Sequence, residues 1–224
     1  MKKIETHFHT KESSFCGGVY AADGIELLKK HSYDAVIITD HFARYSRNYY
    51  PGLTHKRYVD QWLQGYNNAK SAGENNGIKV FLGMELTLDH PTNDYLIYGI
   101  SKEILYANEN IFALDEAGLK RFCDKNGLLV FQAHPFRDYI KLGSPNNLHG
   151  VEVHNGNPRQ ESNNHLAKEF AERHNLLKLS GSDFHQRVDA GRGGIWADRL
   201  PRDNKELLKM LRNRKYEIEK EIML

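Results

Sequence analysis

The chain has 224 residues, 31 Lys and Arg against 29 Asp and Glu, a net charge near +2 and a 40% hydrophobic share. One α/β domain of that length buries a core without staples, so residues 1–224 are read as a single domain. The balanced charge argues against a footprint on long nucleic acid, and no apolar run approaches the ~18 residues of a membrane span. The opening MKKIETHFHT lacks the apolar stretch of a secretory signal, and two cysteines make no disulfide framework. A cytoplasmic chain with free thiols is the expectation.

In chain order, a short apolar run at 4–8 predicts the first strand and the pattern at 22–31 a helix. Runs at 35–39 and 80–86 predict two more strands, with a helix at 56–73 between them. A fourth strand is expected at 95–100, then a helix at 115–126 and a strand at 128–133. A strand at 150–154, a helix at 162–174, a strand at 177–180 and a helix at 204–213 follow. The final KYEIEKEIML reads as a short strand or fraying helix. Several runs are dense in Val, Ile and Leu with little polar alternation, as strands covered on both faces should be. Such alternation implies parallel strands with crossover helices, and seven strands suit a closed or nearly closed barrel.

In such barrels, active sites gather at the C-terminal ends of the strands. Of the 12 histidines, His7, His9, His41, His134, His154 and His185 fall at predicted strand ends, joined by Glu85 and Asp183. In His7-Phe8-His9 the period of two puts both imidazoles on one face, and Asp183-Phe184-His185 repeats the device. Gathering so many buried imidazoles and carboxylates without an ion would leave costly unpaired groups. Metal ligation removes that cost, and imidazole suits Zn, Mn or Fe. The donors exceed what one ion takes, so a cluster is expected, with Glu85 bridging. Ions a few ångströms apart share a hydroxide and clamp phosphoryl oxygens, which points to phosphate-ester hydrolysis.

The ordered segments HFHT, IITDH, GMEL, AHPFR, EVHNGN and GSDFH resemble the signature of the PHP (polymerase and histidinol phosphatase) superfamily. The resemblance spans residues 5 to 187. It implies an α/β fold, a distorted seven-stranded (β/α)7 barrel, carrying two or three Zn, Mn or Fe ions. Transferred to matching positions, it gives His7, His9, Glu85 and Asp183 to a first ion and Glu85, His134 and His154 to a second. A third takes His41 and His185 plus one residue of the loop HTKESSFCGG, where either Cys16 or Glu12 stands for the family's usual Asp or His. A thiolate there would favour zinc, whereas a carboxylate leaves Mn or Fe open.

Arg137 and Arg159, on loops at the same rim, are candidate phosphate binders because guanidinium forks match phosphate oxygens. Arg192 is a weaker candidate. Asp40 is read as an acceptor orienting a ligand imidazole, or as a turn cap. The loop FARYSRNYYPGLTHKR carries Arg44, Tyr45, Arg47, Tyr49 and Tyr50; one tyrosine could stack on the substrate, or all could pack the loop onto the barrel. Cys123 is read as core. The expected activity is that of a phosphomonoesterase on a small organic phosphate, a nucleotide or a histidinol-phosphate-like ester. Glu85, His41, Asp183 and His185 are placed nearest the chemistry, a shared hydroxide attacks phosphorus in line, and either a metal-bound water or a rim histidine is expected to protonate the leaving group. The alternatives are a metal-dependent C–N hydrolase on a similar barrel and a non-catalytic metal- or phosphate-binding domain.

Overall fold

The computed structural model describes residues 1–218; residues 219–224, the end of KYEIEKEIML, lie outside the described residues. In chain order the elements begin with β1 (Lys2–Phe8), α1 (Ala21–Lys30), β2 (Ala35–Ile38), β3 (His41–Phe42), α2 (Arg44–Arg47), α3 (His55–Trp62), α4 (Gln64–Asn76) and β4 (Lys79–Thr87). There follow β5 (Asp94–Tyr98), α5 (Lys102–Ala107), α6 (Glu116–Lys125), β6 (Leu129–Gln132) and β7 (Gly150–Asn155). The last are α7 (Asn164–Arg173), β8 (Leu177–Gly181), β9 (Ile195–Ala197), α8 (Asn204–Arg212) and β10 (Glu217–Ile218). All seven expected strands form. The three added ones, β3, β9 and β10, span only two or three residues, too few for a hydrophobic period to register.

The ten strands make one sheet in the order β10-β9-β1-β2-β4-β5-β6-β7-β8, with β3 beside β4. The sheet curls until β8 returns to β1. There Phe184 N donates to His7 O and His9 N to Phe184 O, each at 3.1 Å, and Thr6 Oγ1 donates to Ser180 O at 2.6 Å. The Phe8 and Phe184 rings stack over this seam, 4.2 Å between centroids. The result is a nearly closed barrel. Ile4, Ile37, Phe81, Leu96, Leu129, Leu179 and Ile195, from seven different strands, meet in one apolar cluster with Leu207, Leu208 and Leu211 of α8. Helix α8 thus plugs one end of the barrel, and the polar site lies at the other.

Two departures from the expected topology matter for the site. First, β5 pairs antiparallel with both β4 and β6. Only residues 88–93 separate β4 from β5, too few for a crossover helix, so the chain turns back as a hairpin. The start of β5, rather than its end, therefore lies at the rim that carries the polar site. Second, the helix expected over 56–73 breaks at Leu63 into α3 and α4. Gly65, in the first turn of α4, lies against the loop after β1. A Cβ there would stand 2.0 Å from Thr10 Oγ1. Gly65 N donates to Ser13 Oγ at 2.9 Å, so the helix start braces that loop.

Candidate metal centre

His7, His9, Glu85 and Asp183 converge at the rim, all with side chains at most 3% exposed. His7 Nε2 lies 3.1 Å from His9 Nε2, 3.3 Å from Glu85 Oε1 and 3.4 Å from Asp183 Oδ1. His9 Nε2 lies 3.2 Å from Glu85 Oε2 and 3.5 Å from Asp183 Oδ1. Two donors each about 2.0–2.2 Å from one ion at a tetrahedral angle stand about 3.3–3.6 Å apart. The observed separations are therefore close to the edges of one coordination tetrahedron. Both Glu85 oxygens are inaccessible and accept no hydrogen bond, although imidazoles surround them. Lone pairs left bare in this way are costly unless a cation lies between the groups. The residues fit a metal ion.

Glu85 also reaches outward, with Oε1 3.3 Å from His134 Nε2 and Oε2 3.0 Å from His41 Nδ1. Its position in β4, paired with His41 of β3, puts one carboxylate between several imidazoles. Asp94 joins Glu85 and His41 in a group whose ligand atoms lie within 4.8 Å of one another. It sits at this rim because β5 is antiparallel, and the focus on strand C-termini overlooked it. Thr87 Oγ1 donates to Asp94 Oδ1 at 2.6 Å.

The structure does not bring His154 to the cluster. Its Nε2 lies 3.0 Å from Arg192 O, and its Nδ1 lies 3.3 Å from Asn164 Nδ2. The register of β7 on β8 shifts between Glu152 and His154. A bulge of that kind re-aims the following side chain, so Glu152 and Asn155, rather than Glu152 and His154, face the centre.

A third set comprises His9, His41 and His185. Cys16 Sγ lies 3.1 Å from His185 Nε2. Glu12, the rival, is spent elsewhere. Its carboxylate accepts from Ala21 N at 3.0 and 3.2 Å and from Asn68 Nδ2 at 3.1 Å, capping α1. Cys123 is fully buried in α6, as expected of a core residue.

Around these donors, an outer layer sets the imidazole tautomers. His7 Nδ1–H donates to Glu152 Oε1 at 2.9 Å, His9 Nδ1–H to Ser14 Oγ at 3.2 Å and His185 Nδ1–H to Asp183 O at 2.8 Å. Each leaves an Nε2 lone pair turned inward, as a ligating imidazole requires. Asp40 acts through the loop: Ser14 Oγ donates to its Oδ1 at 2.6 Å, and Thr10 Oγ1 to its Oδ2 at 2.7 Å. Glu152 was missed although it stands in the EVHNGN run. Its Oε2 accepts from His134 N at 3.0 Å and Asn155 Nδ2 at 2.8 Å. That grip holds His134 at a φ of 30°, while Asp183 has a φ of 50°. Each such conformation costs about 1–3 kcal/mol and persists because the surroundings enforce it.

The electrostatics are those of a tightly coupled cation site. Burial alone would depress the His7 imidazole, but Glu152, Asp183 and Glu85 carry it well above its ordinary value. Burial would raise Glu85, yet His41 and His7 hold it well below the usual carboxylate range. For Cys16, partial burial opposes ionisation, but the neighbouring His185 and His41 imidazoles bring the thiol down to about 5. Burial pushes Asp40 up to about 6.

The two arginines are more committed than expected. Arg137 Nη2 donates to Asp183 Oδ2 at 2.7 Å and Asn155 Oδ1 at 2.9 Å, and its Nε donates to Ser162 Oγ at 3.2 Å. It is a buried strut behind Asp183. Arg159 forks onto both oxygens of the buried Asp189, at 2.6 and 2.7 Å. Both still line a cavity of ≈ 340 Å³ with His41, Glu85, Asp94 and His134. In the long loop, Arg44 pairs with Asp89 and Arg47 with Glu109. Tyr50 packs on the core, whereas Tyr49 stacks on Phe15 with centroids 3.8 Å apart.

Replacing Glu152 by Gln tests the outer layer. The amide keeps the shape but loses the charge that fixes His7, so metal affinity should fall about 10–100-fold. Competition with a chromogenic chelator measures this, and unchanged affinity would remove Glu152 from the design of the centre.

A PHP domain model matches residues 5–220. Over 124 residues, 55% of the chain, it is 26% identical to a PolC-type DNA polymerase III from Latilactobacillus sakei, of whose length that match covers 7%. A two-domain protein from Bacteroides vulgatus, containing a predicted PHP-like metal-dependent phosphoesterase, superposes with a TM-score of 0.70 at 19% identity, covering 97% of this chain and 64% of that one. PsfC from Pseudomonas syringae gives 0.64 at 18% identity, over 92% and 87%. An amidohydrolase from Chromobacterium violaceum, with bound sulfate and no metal, gives 0.59 at 16%, over 92% and 95%. The chain thus spans less than two thirds of the first two of these proteins. With the motif order, the barrel and the family model in agreement over nearly the whole sequence, the chain belongs to the PHP domain family.

Proposed function

We propose that this chain hydrolyses phosphomonoesters of small organic molecules, such as a nucleotide or a histidinol-phosphate-like ester, at a centre of two or three divalent ions. The observation that carries this reading is the donor spacing of 3.1–3.5 Å among His7, His9, Glu85 and Asp183, continued through Glu85 to His134 and His41. Zn, Mn or Fe ions held there supply charge for phosphoryl oxygens and make water a better nucleophile near neutral pH.

The chain's own residues orient and exclude. Glu85 offers an oxygen to each side, and Asp183 presents Oδ1 inward because Arg137 grips its Oδ2. For the second position, Asp94 replaces His154 in our assignment, beside Glu85 and His134. A guanidinium has five N–H donors. The Asp189 pair occupies one on each terminal nitrogen of Arg159, which leaves this side chain able to meet a phosphate oxygen. His41 and His185, at the open edge, stand where a leaving alkoxide could take a proton. The ≈ 340 Å³ cavity is at the small end of ligand pockets and suits a compact ester.

The test is phosphate release from a panel of monoesters and diesters, run beside amide substrates, after chelation and after Zn, Mn or Fe is restored. Monoester turnover should fall to background on chelation and return with metal. Amide cleavage without phosphate release would select the C–N hydrolase reading. Tight metal binding with neither activity would select a binding domain.

A further inference from the structure

The third donor set differs in kind from the first two. The inner positions are built from imidazole and carboxylate and are buried. The outer one is lined by His41 and His185 at the open edge, with side chains 16% and 15% exposed. Its remaining neighbour is Cys16, whose sulfur lies 3.1 Å from His185 Nε2 in an exposed loop position. His9, His41 and His185 form a ligand group without counting the sulfur. Behind them stands Glu85, its oxygens buried and accepting no hydrogen bond. The loop holds Cys16 in place, since Gly17 N donates to Ser14 O at 2.9 Å and Gly18 N to His185 O at 2.8 Å. A Cβ at Gly17 would stand 2.8 Å from Thr10 O, so only glycine permits this close turn.

Building on the metal centre proposed above, we infer that Cys16 ligates the outer ion as a thiolate and that a hydroperoxide, by oxidising this sulfur, releases that ion while the inner ones stay. Soft thiolate ligands select zinc-like ions, so this position should discriminate against manganese where the inner set does not. The oxidation balances simply. The sulfur attacks one peroxide oxygen, the S–O bond forms as O–O breaks, and the departing oxygen takes a proton from water. Sulfur loses two electrons and the peroxide gains them, leaving a sulfenic acid. A sulfenic sulfur is a poor partner for zinc. Because His9 Nε2 also faces the inner set with His7, Glu85 and Asp183, His41 and His185 are then left to hold the outer ion too weakly. Cys123, the chain's other cysteine, is fully buried in α6, so reversal needs an external thiol.

Two measurements on the metal-loaded chain decide it, neither using turnover. Reconstitution with Co(II) should give a thiolate-to-cobalt absorption in the near ultraviolet that Cys16→Ser lacks. Hydrogen peroxide added to the zinc-loaded chain should release about one zinc per chain, read with a chromogenic chelator, as one thiol is lost. Cys16→Ser, with unchanged circular dichroism, should release less than about a tenth of that. Added dithiothreitol should allow zinc to rebind. Absence of the cobalt band, or equal zinc release from wild type and Cys16→Ser, overturns the inference. Failure of the phosphatase reading would instead appear as absent phosphate release with the band and the zinc release intact.

Discussion

Glu85→Ala should abolish turnover and strip metal in the same step. One carboxylate lies within 3.0–3.3 Å of imidazoles from His7, His9, His41 and His134, so its removal deprives more than one ion of a ligand. Losing several kcal/mol of charge stabilisation corresponds to a rate loss of about 10³-fold or more, at ~1.4 kcal/mol per decade. The decisive readout is metal stoichiometry, together with the rise in Tm that ligands give when they bind only the folded state. Wild type should gain Tm with added zinc or manganese, and the variant should gain little. Glu85→Gln, which keeps the volume and one carbonyl oxygen, should fall between the two. A variant holding full metal and activity would end the bridging assignment.

Much of this centre was legible because it obeys two local rules. His7 and His9 share a strand face by the period of two, and His41, Glu85 and His134 stand where strands end. What was not legible depended on strand direction and register. Asp94 opens β5, and only the antiparallel hairpin carries that end to the rim. His154 has the parity of Glu152, but the shift in β7 rotates it toward Arg192 O. A bulge leaves no mark in hydrophobic periodicity, because it is set by how β7 meets β8.

The choice between Glu12 and Cys16 was similarly tertiary. Glu12 sits three residues from His9, yet its carboxylate finds the free N–H of Ala21 at the start of α1. Helix starts carry such unmet donors, and a nearby carboxylate satisfies them well. Cys16, with weaker hydrogen-bonding claims, is left facing His185. The broad fold came through for a different reason. Several of the seven longer runs are dense in buried Val, Ile and Leu, a signal strong enough to mark strands, whereas the short β3, β9 and β10 exist because longer neighbours offer them edges.

Arg137 separates a residue that binds substrate from one that holds a ligand in place. The Arg137 and Asp183 side chains are 4% and 3% exposed and meet at 2.7 Å. Truncating Arg137 leaves the Asp183 charge buried with only the neighbouring imidazoles to balance it, and breaking one partner of such a pair costs up to about 3–5 kcal/mol. Against a total stability of about 5–15 kcal/mol, Arg137→Met should shift the urea midpoint of the metal-free chain markedly downward. Arg137→Lys keeps the charge but not the fork. It cannot serve Asp183 Oδ2, Asn155 Oδ1 and Ser162 Oγ together, so a smaller loss is expected. The kinetics then discriminate. A phosphate-binding arginine replaced by lysine should raise KM with kcat largely kept, because uniform binding is what it supplies. A strut should instead lower kcat and metal content together, since Asp183 no longer holds Oδ1 toward His7 and His9. The geometry favours the second pattern. A raised KM with full metal content and an unchanged urea midpoint would return Arg137 to the role its place in AHPFR first suggested.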